Sequence, residues 1–138
     1  MEKTRKFLIA THGTFSAGAQ SSLDMIIGAV PHVFIIQAYL DENIVIEQQI
    51  REVLEQISDK DELVIFSDIM GGSVTNQLLQ QALKPNIHIL SGFNLPLLID
   101  VMLADQETPV KEAIHSAIEN AKEQMVYVNE LLTAEDND

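Results

Sequence analysis

The sequence predicts an α/β protein: an open, mostly parallel sheet with helices on both faces. Short apolar runs occupy residues 7–10, 33–36 and 63–66, and a fourth, 87–90, is apolar but for His88. They do not alternate with polar residues, so each reads as a strand buried on both faces. Between them lie segments whose apolar residues recur at helical spacing. Strands alternating with helices imply parallel neighbours joined by right-handed crossovers.

The first strand spans residues 6–11 and ends on His12. A helix then carries Ala19, Leu23, Ile26 and Ile27 on one face, with Gly28 where a C-terminal cap is expected. The second strand begins at Val33 and fades near Leu40. Asp41-Glu42-Asn43 signals the next helix start, and Ile46, Ile50, Val53, Leu54 and Ile57 form its stripe. The third strand, 63–67, brings the chain to Asp68. A helix over 75–83 follows, with Leu78, Leu79, Ala82 and Leu83 apolar, and Lys84-Pro85-Asn86 stops it. The fourth strand ends at Ser91-Gly92. Asn94 is positioned to cap a helix bearing Leu97, Leu98, Val101 and Met102. Thr108-Pro109 opens a last helix with Val110, Ile114, Ala117, Ala121 and Met125. By pattern alone, Met125-Val126-Tyr127-Val128 fits either the end of that helix or a short strand. Residues 1–138 read as one domain, with a flexible acidic tail over about 133–138.

Composition narrows the function. The 138 residues carry 8 Lys and Arg against 21 Asp and Glu, a net charge of −13. Nucleic acid is therefore excluded as a partner, since phosphate binding needs clustered cations. Cysteine is absent, which excludes disulfides, thiolate catalysis and cysteine-ligated metals. The basic start is followed by only four apolar residues before Thr11-His12, too few for a signal peptide's apolar region of roughly 7–15. No run reaches the ~18 apolar residues of a membrane span. The expectation is a cytoplasmic protein with no cofactor and no metal.

The chemistry centres on Asp68-Ile69-Met70-Gly71-Gly72-Ser73, a strand end, a glycine turn and a helix start. Free amides and the positive dipole end collect at a helix N-terminus and favour an anion. In open α/β sheets ligands bind beyond the carboxyl ends of strands where the order reverses. With the flavodoxin-like order 2-1-3-4, that point lies between the first and third strands. His12 and Asp68 then share one crevice with Gly71, Gly72 and Ser73. A carboxylate accepting Nδ1–H would leave Nε2 of His12 bare and nucleophilic. His32, His88 and His115 lie in a loop, on a strand and beside a helix stripe, where a structural role is the simpler one.

The sequence resembles the IIA component of the mannose family of the bacterial phosphoenolpyruvate-dependent sugar phosphotransferase system. The resemblance rests on Ile9-Ala10-Thr11-His12-Gly13, on Asp68 with Gly71-Gly72-Ser73 and Asn76, and on Gly92-Phe93-Asn94-Leu95-Pro96-Leu97-Leu98. These motifs keep their order over roughly 7–103. It implies a phosphohistidine-forming phosphotransferase. His12 would accept a phosphoryl group on Nε2 from the phosphocarrier protein HPr and pass it to a separate IIB component. The sugar then enters through membrane IIC and IID components. Asp68 would orient His12, Gly71, Gly72 and Ser73 would hold the phosphoryl group, and Met70 and Asn94 would contact partners. It also implies a homodimer exchanging an extra antiparallel strand, at 125–129. Met70 and Val74 stand where the family often has an aromatic residue and a proline.

Three other functions fit parts of this pattern. One is the phosphoryl-carrying subunit of a dihydroxyacetone kinase system, which has a similar domain. The second is a receiver domain, but its acidic magnesium-binding pair after the first strand is replaced here by Thr11-His12. The third is a non-catalytic anion-binding or regulatory module, which would leave His12 without a role.

Overall fold

The computed structural model describes residues 3–136 of the chain. It divides into two compact units, Met1–Leu95 and Pro96–Asp138. The first unit holds four parallel strands, β1 (Thr4–His12), β2 (Val33–Ala38), β3 (Asp61–Ser67) and β4 (Ile87–Ser91). Their spatial order is β2-β1-β3-β4, as the sequence predicts. Between them run α1 (Phe15–Ile27), α2 (Ile46–Leu54) and α3 (Ser73–Gln81). The chain continues through α4 (Leu95–Met102), α5 (Val110–Glu123) and α6 (Val128–Asp136).

Strand side chains alternate between faces. Leu8 and Ala10, Ile36 and Ala38, and Leu63 and Ile65 share one buried cluster with Ile46, Ile50 and Val53 of α2, Val74 and Leu78 of α3, and Ala82 just after it. The connections β2-α2-β3 and β3-α3-β4 advance across the sheet in the same direction, so their helices share a face. The connection β1-α1-β2 goes the other way, and right-handedness puts α1 on the opposite side. There α1 buries Ala19 and Leu23. Each fully buried aliphatic side chain stabilises the fold by roughly 1.5–3 kcal/mol relative to exposure.

Pairing register brings the site together. Ala10 pairs with Ser67 and His12 pairs with Ala38. β1 therefore overhangs β3 by two residues at the carboxyl edge, so Asp68 leaves β3 alongside Thr11 and His12. Two further ties fix that edge. The Ser16 amide donates to Thr11 Oγ1 at 2.8 Å, and the Ser16 hydroxyl donates to the Ile36 carbonyl at 2.9 Å. The first turn of α1 is thus hydrogen-bonded to both β1 and β2. At the far end of α1, Gly28 has φ +79° and its amide bonds the Asp24 carbonyl, the cap expected of it.

Several expectations need correction. α2 starts at Ile46, later than Asp41-Glu42-Asn43 suggests. Asp41 Oδ1 instead accepts the Asn43 amide at 2.9 Å; short polar side chains divert the backbone into such turns. Ile26 and Leu79 lie on exposed helix faces, because an apolar stripe predicted from spacing is wider than the face each helix buries, and Leu83 is exposed beyond the end of α3 at Gln81. The residue immediately before α5 is Pro109, so the helix starts at Val110, one residue later than Thr108-Pro109 suggests. In the second unit, Leu97, Leu98, Val101 and Met102 of α4 are all buried as expected, as are Ile114, Ala117 and Ala121 of α5.

Met125 is exposed, beyond the end of α5. Residues 125–127 have no regular structure and α6 begins at Val128. The extra strand implied at 125–129 is therefore not formed within this chain. An antiparallel strand needs a neighbouring edge to complete its hydrogen bonds, and the four-stranded sheet pairs only parallel neighbours. Of the tail expected at about 133–138, residues 133–136 continue α6, and 137 and 138 lie outside the described residues.

Candidate functional site

His12 is the last residue of β1, and Gly13 turns the chain away with φ +57°. The Gly13 amide donates to the Ala38 carbonyl at 2.9 Å, so the turn is tied to the end of β2. Asp68 lies one residue past β3. Its Oδ2 accepts both the His12 backbone N–H and the His12 Nδ1–H, each at 2.8 Å. Its other oxygen, Oδ1, accepts the Ile69 amide at 3.0 Å.

The carboxylate is well packed and the imidazole is not: their side chains are 9% and 42% exposed. Burial pushes the Asp68 carboxyl up, but hydrogen bonds and charge attraction from His12 outweigh it. The group sits below the ordinary carboxylate range. An ionised Asp68 can only accept, so Nδ1 carries the proton. The lone pair of a neutral ring is then on Nε2, the nitrogen facing Ser73.

The glycine turn brings Ser73 to that nitrogen. Gly71 has φ +78°, a conformation a side chain would strain. At Gly72 a Cβ would lie 3.2 Å from the Ile69 carbonyl oxygen and 3.6 Å from His12 Cε1, so glycine keeps the turn close to the ring. Ser73 opens α3, with Gly72 as the residue before it. Its Oγ lies 3.3 Å from His12 Nε2. The first amides of a helix lack acceptors within it, so the α3 end beside Ser73 is electropositive.

Beneath the turn, the Thr75 hydroxyl donates to the Ile69 carbonyl at 2.7 Å. With that hydrogen committed, the 2.7 Å contact between Ser67 and Thr75 has Ser67 as its donor. Two buried hydroxyls thus lock the end of β3 to the start of α3. Sequence reasoning did not single out Thr75, which carries only its side chain's ordinary local bonding potential. It also missed Tyr39. That ring lies 5.5 Å from the His12 ring, tilted by 46°, and its hydroxyl donates to Ser73 Oγ at 2.9 Å. An aromatic residue just past the strand beside β1 is the one signal that was available.

His12, Asp68, Gly71, Gly72 and Ser73 are therefore brought together. Met70 is three-quarters exposed in the turn, at 75%. Asn94 is half-buried in the loop leaving β4, immediately before α4. The other histidines lie elsewhere. His88 Nε2 is 2.7 Å from Glu62. His32 has φ +62° and its carbonyl accepts the Phe7 amide. His115 is exposed on α5. Geometrically, the site offers an oriented imidazole whose unprotonated nitrogen faces a hydroxyl and a helix N-terminus.

Residues 6–121 match the family described as PTS system fructose IIA component. A comparison with curated proteins found no match. Among solved structures, a candidate phosphoenolpyruvate-dependent sugar phosphotransferase system permease from Klebsiella pneumoniae subsp. pneumoniae is similar at 33% identity. Its TM-score is 0.90, with 96% of each chain covered. A IIA protein associated with the fucose utilization operon of Streptococcus pneumoniae is similar at 28% identity and TM-score 0.79. That match covers 95% of this chain and 98% of the other. A mannose/sorbose-specific IIA subunit from Enterococcus faecalis shares the fold at 18% identity and TM-score 0.77, over 89% and 93% of the chains. The chain belongs to the mannose- and fructose-type IIA family, a sugar phosphotransfer component of the phosphotransferase system.

Proposed function

We propose that His12 is the phosphoryl carrier, loaded by phospho-HPr and unloaded by a separate IIB component. The observation that carries this reading is the 2.8 Å contact between His12 Nδ1 and Asp68, with Nε2 left facing Ser73. The Nε2 lone pair attacks phosphorus, and the phosphorus–nitrogen bond of the donor histidine breaks. Its electron pair returns to the donor ring. The Nδ1 proton stays on His12, so the phosphorylated ring is cationic and Asp68 offsets its charge. Ser73 and the α3 amides, with Gly71 and Gly72 allowing close approach, hold the phosphoryl oxygens through positioning and electrostatics. Reversal of the same step onto a IIB histidine leaves His12 neutral again.

Met70 and Asn94 are the partner contacts in this reading, because both lie at the carboxyl edge of the sheet. The sugar is handled by IIB with the membrane IIC and IID components, and this chain works in the cytoplasm as one IIA domain. A homodimer is part of the proposal. Met125, Val126, Tyr127, Val128, Leu131 and Leu132 are all at least half exposed, an apolar run that a second copy would cover.

The test is intact-mass spectrometry after incubation with phosphoenolpyruvate, Enzyme I and HPr. Wild type should gain one phosphoryl group that is acid-labile and alkali-stable, and His12→Gln should gain none. An equal adduct on both proteins would move the carrier to another residue.

A further inference from the structure

Tyr39 follows β2 in a conformation bulky residues seldom adopt, with φ +67°. Such backbone strain persists where the surroundings enforce it, and it gathers at functional sites. Here the surroundings are specific. Ala38, just before it, is fully buried, and the Ala38 carbonyl is bonded to the turn after His12. From that fixed point, the left-handed turn brings the half-exposed phenol ring beside the imidazole, where its hydroxyl reaches Ser73.

The hydrogen-bond inventory gives this contact a direction. His12 Nδ1–H is given to Asp68, so Nε2 can only accept. Ser73 is therefore the donor across the 3.3 Å to Nε2. A serine hydroxyl has a single hydrogen and a freely rotating bond. Left alone, it can turn that hydrogen to water or to a backbone carbonyl. Donation from Tyr39 into a lone pair of Ser73 Oγ at 2.9 Å removes that freedom. The Ser73 hydrogen is then held toward Nε2, and toward a phosphoryl oxygen once Nε2 is occupied.

We propose that Tyr39 is a positioning residue for the phosphoryl site: its hydroxyl aims the Ser73 hydroxyl at the reacting nitrogen of His12. This rests on reading His12 as the phosphoryl acceptor. The Tyr39 hydroxyl bonds Ser73, while its ring packs 5.5 Å from the His12 ring, centroid to centroid. It acts through Ser73, which gives the proposal a sharp test.

The experiment is a double-mutant cycle on single-turnover transfer from phospho-HPr, using wild type, Tyr39→Phe, Ser73→Ala and the double variant. Tyr39→Phe removes one oxygen and keeps the ring, so the fold is retained, as an unchanged Tm would verify. The expected result is a slowing of roughly 3- to 10-fold for Tyr39→Phe, the range of one neutral hydrogen bond. The same substitution on the Ser73→Ala background should do nothing further. Equal slowing on both backgrounds, or no slowing at all, would overturn the proposal. The nitrogen-15 spectrum of His12 adds a readout independent of transfer. Tyr39→Phe should move the Nε2 resonance toward that of Ser73→Ala and leave Nδ1 in place; an unmoved Nε2 would overturn the proposal. Absence of phosphoryl transfer in wild type would instead sink the acceptor role of His12, with the nitrogen shift still deciding what Tyr39 does to Ser73.

Discussion

At the scale of single residues, the site depends on Asp68 being ionised and on His12 having one proton in a fixed place. Asp68→Asn is close in shape but offers an amide where a carboxylate oxygen now accepts two bonds from His12. The prediction is a transfer rate lower by roughly 10- to 100-fold, the usual cost of losing an orienting partner, with the domain still folded. Single-turnover rates beside a circular-dichroism melt check both halves. Gly71→Ala tests the turn, because φ +78° must be kept with a Cβ present. It should cost about 1–2 kcal/mol in urea unfolding. His12, Asp68 and the Gly71-Gly72-Ser73 turn could be read from sequence because each sits where a strand ends or a helix begins. Tyr39 could not. Its contribution depends on a left-handed backbone at a residue other than glycine, which leaves no mark in local composition.

At the scale of elements, Thr75 and Asp61 anchor the two ends of β3. Thr75 is buried and bonds both Ile69 and Ser67. Thr75→Val keeps the shape but takes one bond each from the Ile69 carbonyl and the Ser67 hydroxyl, leaving them the Gly72 amide at 3.2 Å and the Leu90 carbonyl at 3.4 Å. It should cost about 1–3 kcal/mol and slow transfer by loosening the turn. Asp61 begins the strand, buried, accepting the Ser58 amide at 2.8 Å with Lys6 at 3.0 Å. The Ser58 amide first, then Lys6, holds its carboxyl below the ordinary range despite the opposing effect of burial. A carboxyl depressed in the folded state contributes stability that is complete above its unfolded pKa of about 3.9. That contribution disappears as pH falls through the lower folded value. Asp68 and Glu62 are depressed too and act in the same direction. Urea midpoints should therefore fall as pH drops below about 4. Asp61→Asn should reduce that dependence while destabilising the domain at pH 7. The identities of β1 to β4 and of α1 to α5 were legible because the apolar runs and stripes are distinct, whereas α6 over Val128–Asp136 was not foreseen. The start of α2 was not legible, since Asp41 belongs to a residue class that closes turns as readily as it caps helices.

At the scale of the whole molecule, strand order could be anticipated because a parallel sheet with right-handed crossovers has few topologies. The state of residues 125–129 could not. Their apolar sequence suits both a helix continuation and a strand, and tertiary or quaternary neighbours decide between them. In this chain residues 125–127 form an irregular segment and Val128 and Asn129 begin α6, with the apolar side chains exposed. If a second copy covers them, sedimentation should give a dimer. Val126→Asp with Val128→Asp should then yield a monomer that still folds and still accepts a phosphoryl group on His12. A monomeric wild type at tens of micromolar would contradict the dimer alone.

The central claim is narrower than any of these: phosphoryl chemistry occurs at one nitrogen of one histidine. Phosphorus–nitrogen correlation NMR on the nitrogen-15-labelled, phosphorylated protein addresses it directly. The account predicts phosphorus coupled to Nε2 of His12, with Nδ1 still protonated and bonded to Asp68. Phosphorus on Nδ1, on another histidine or on the Asp68 carboxylate would contradict it.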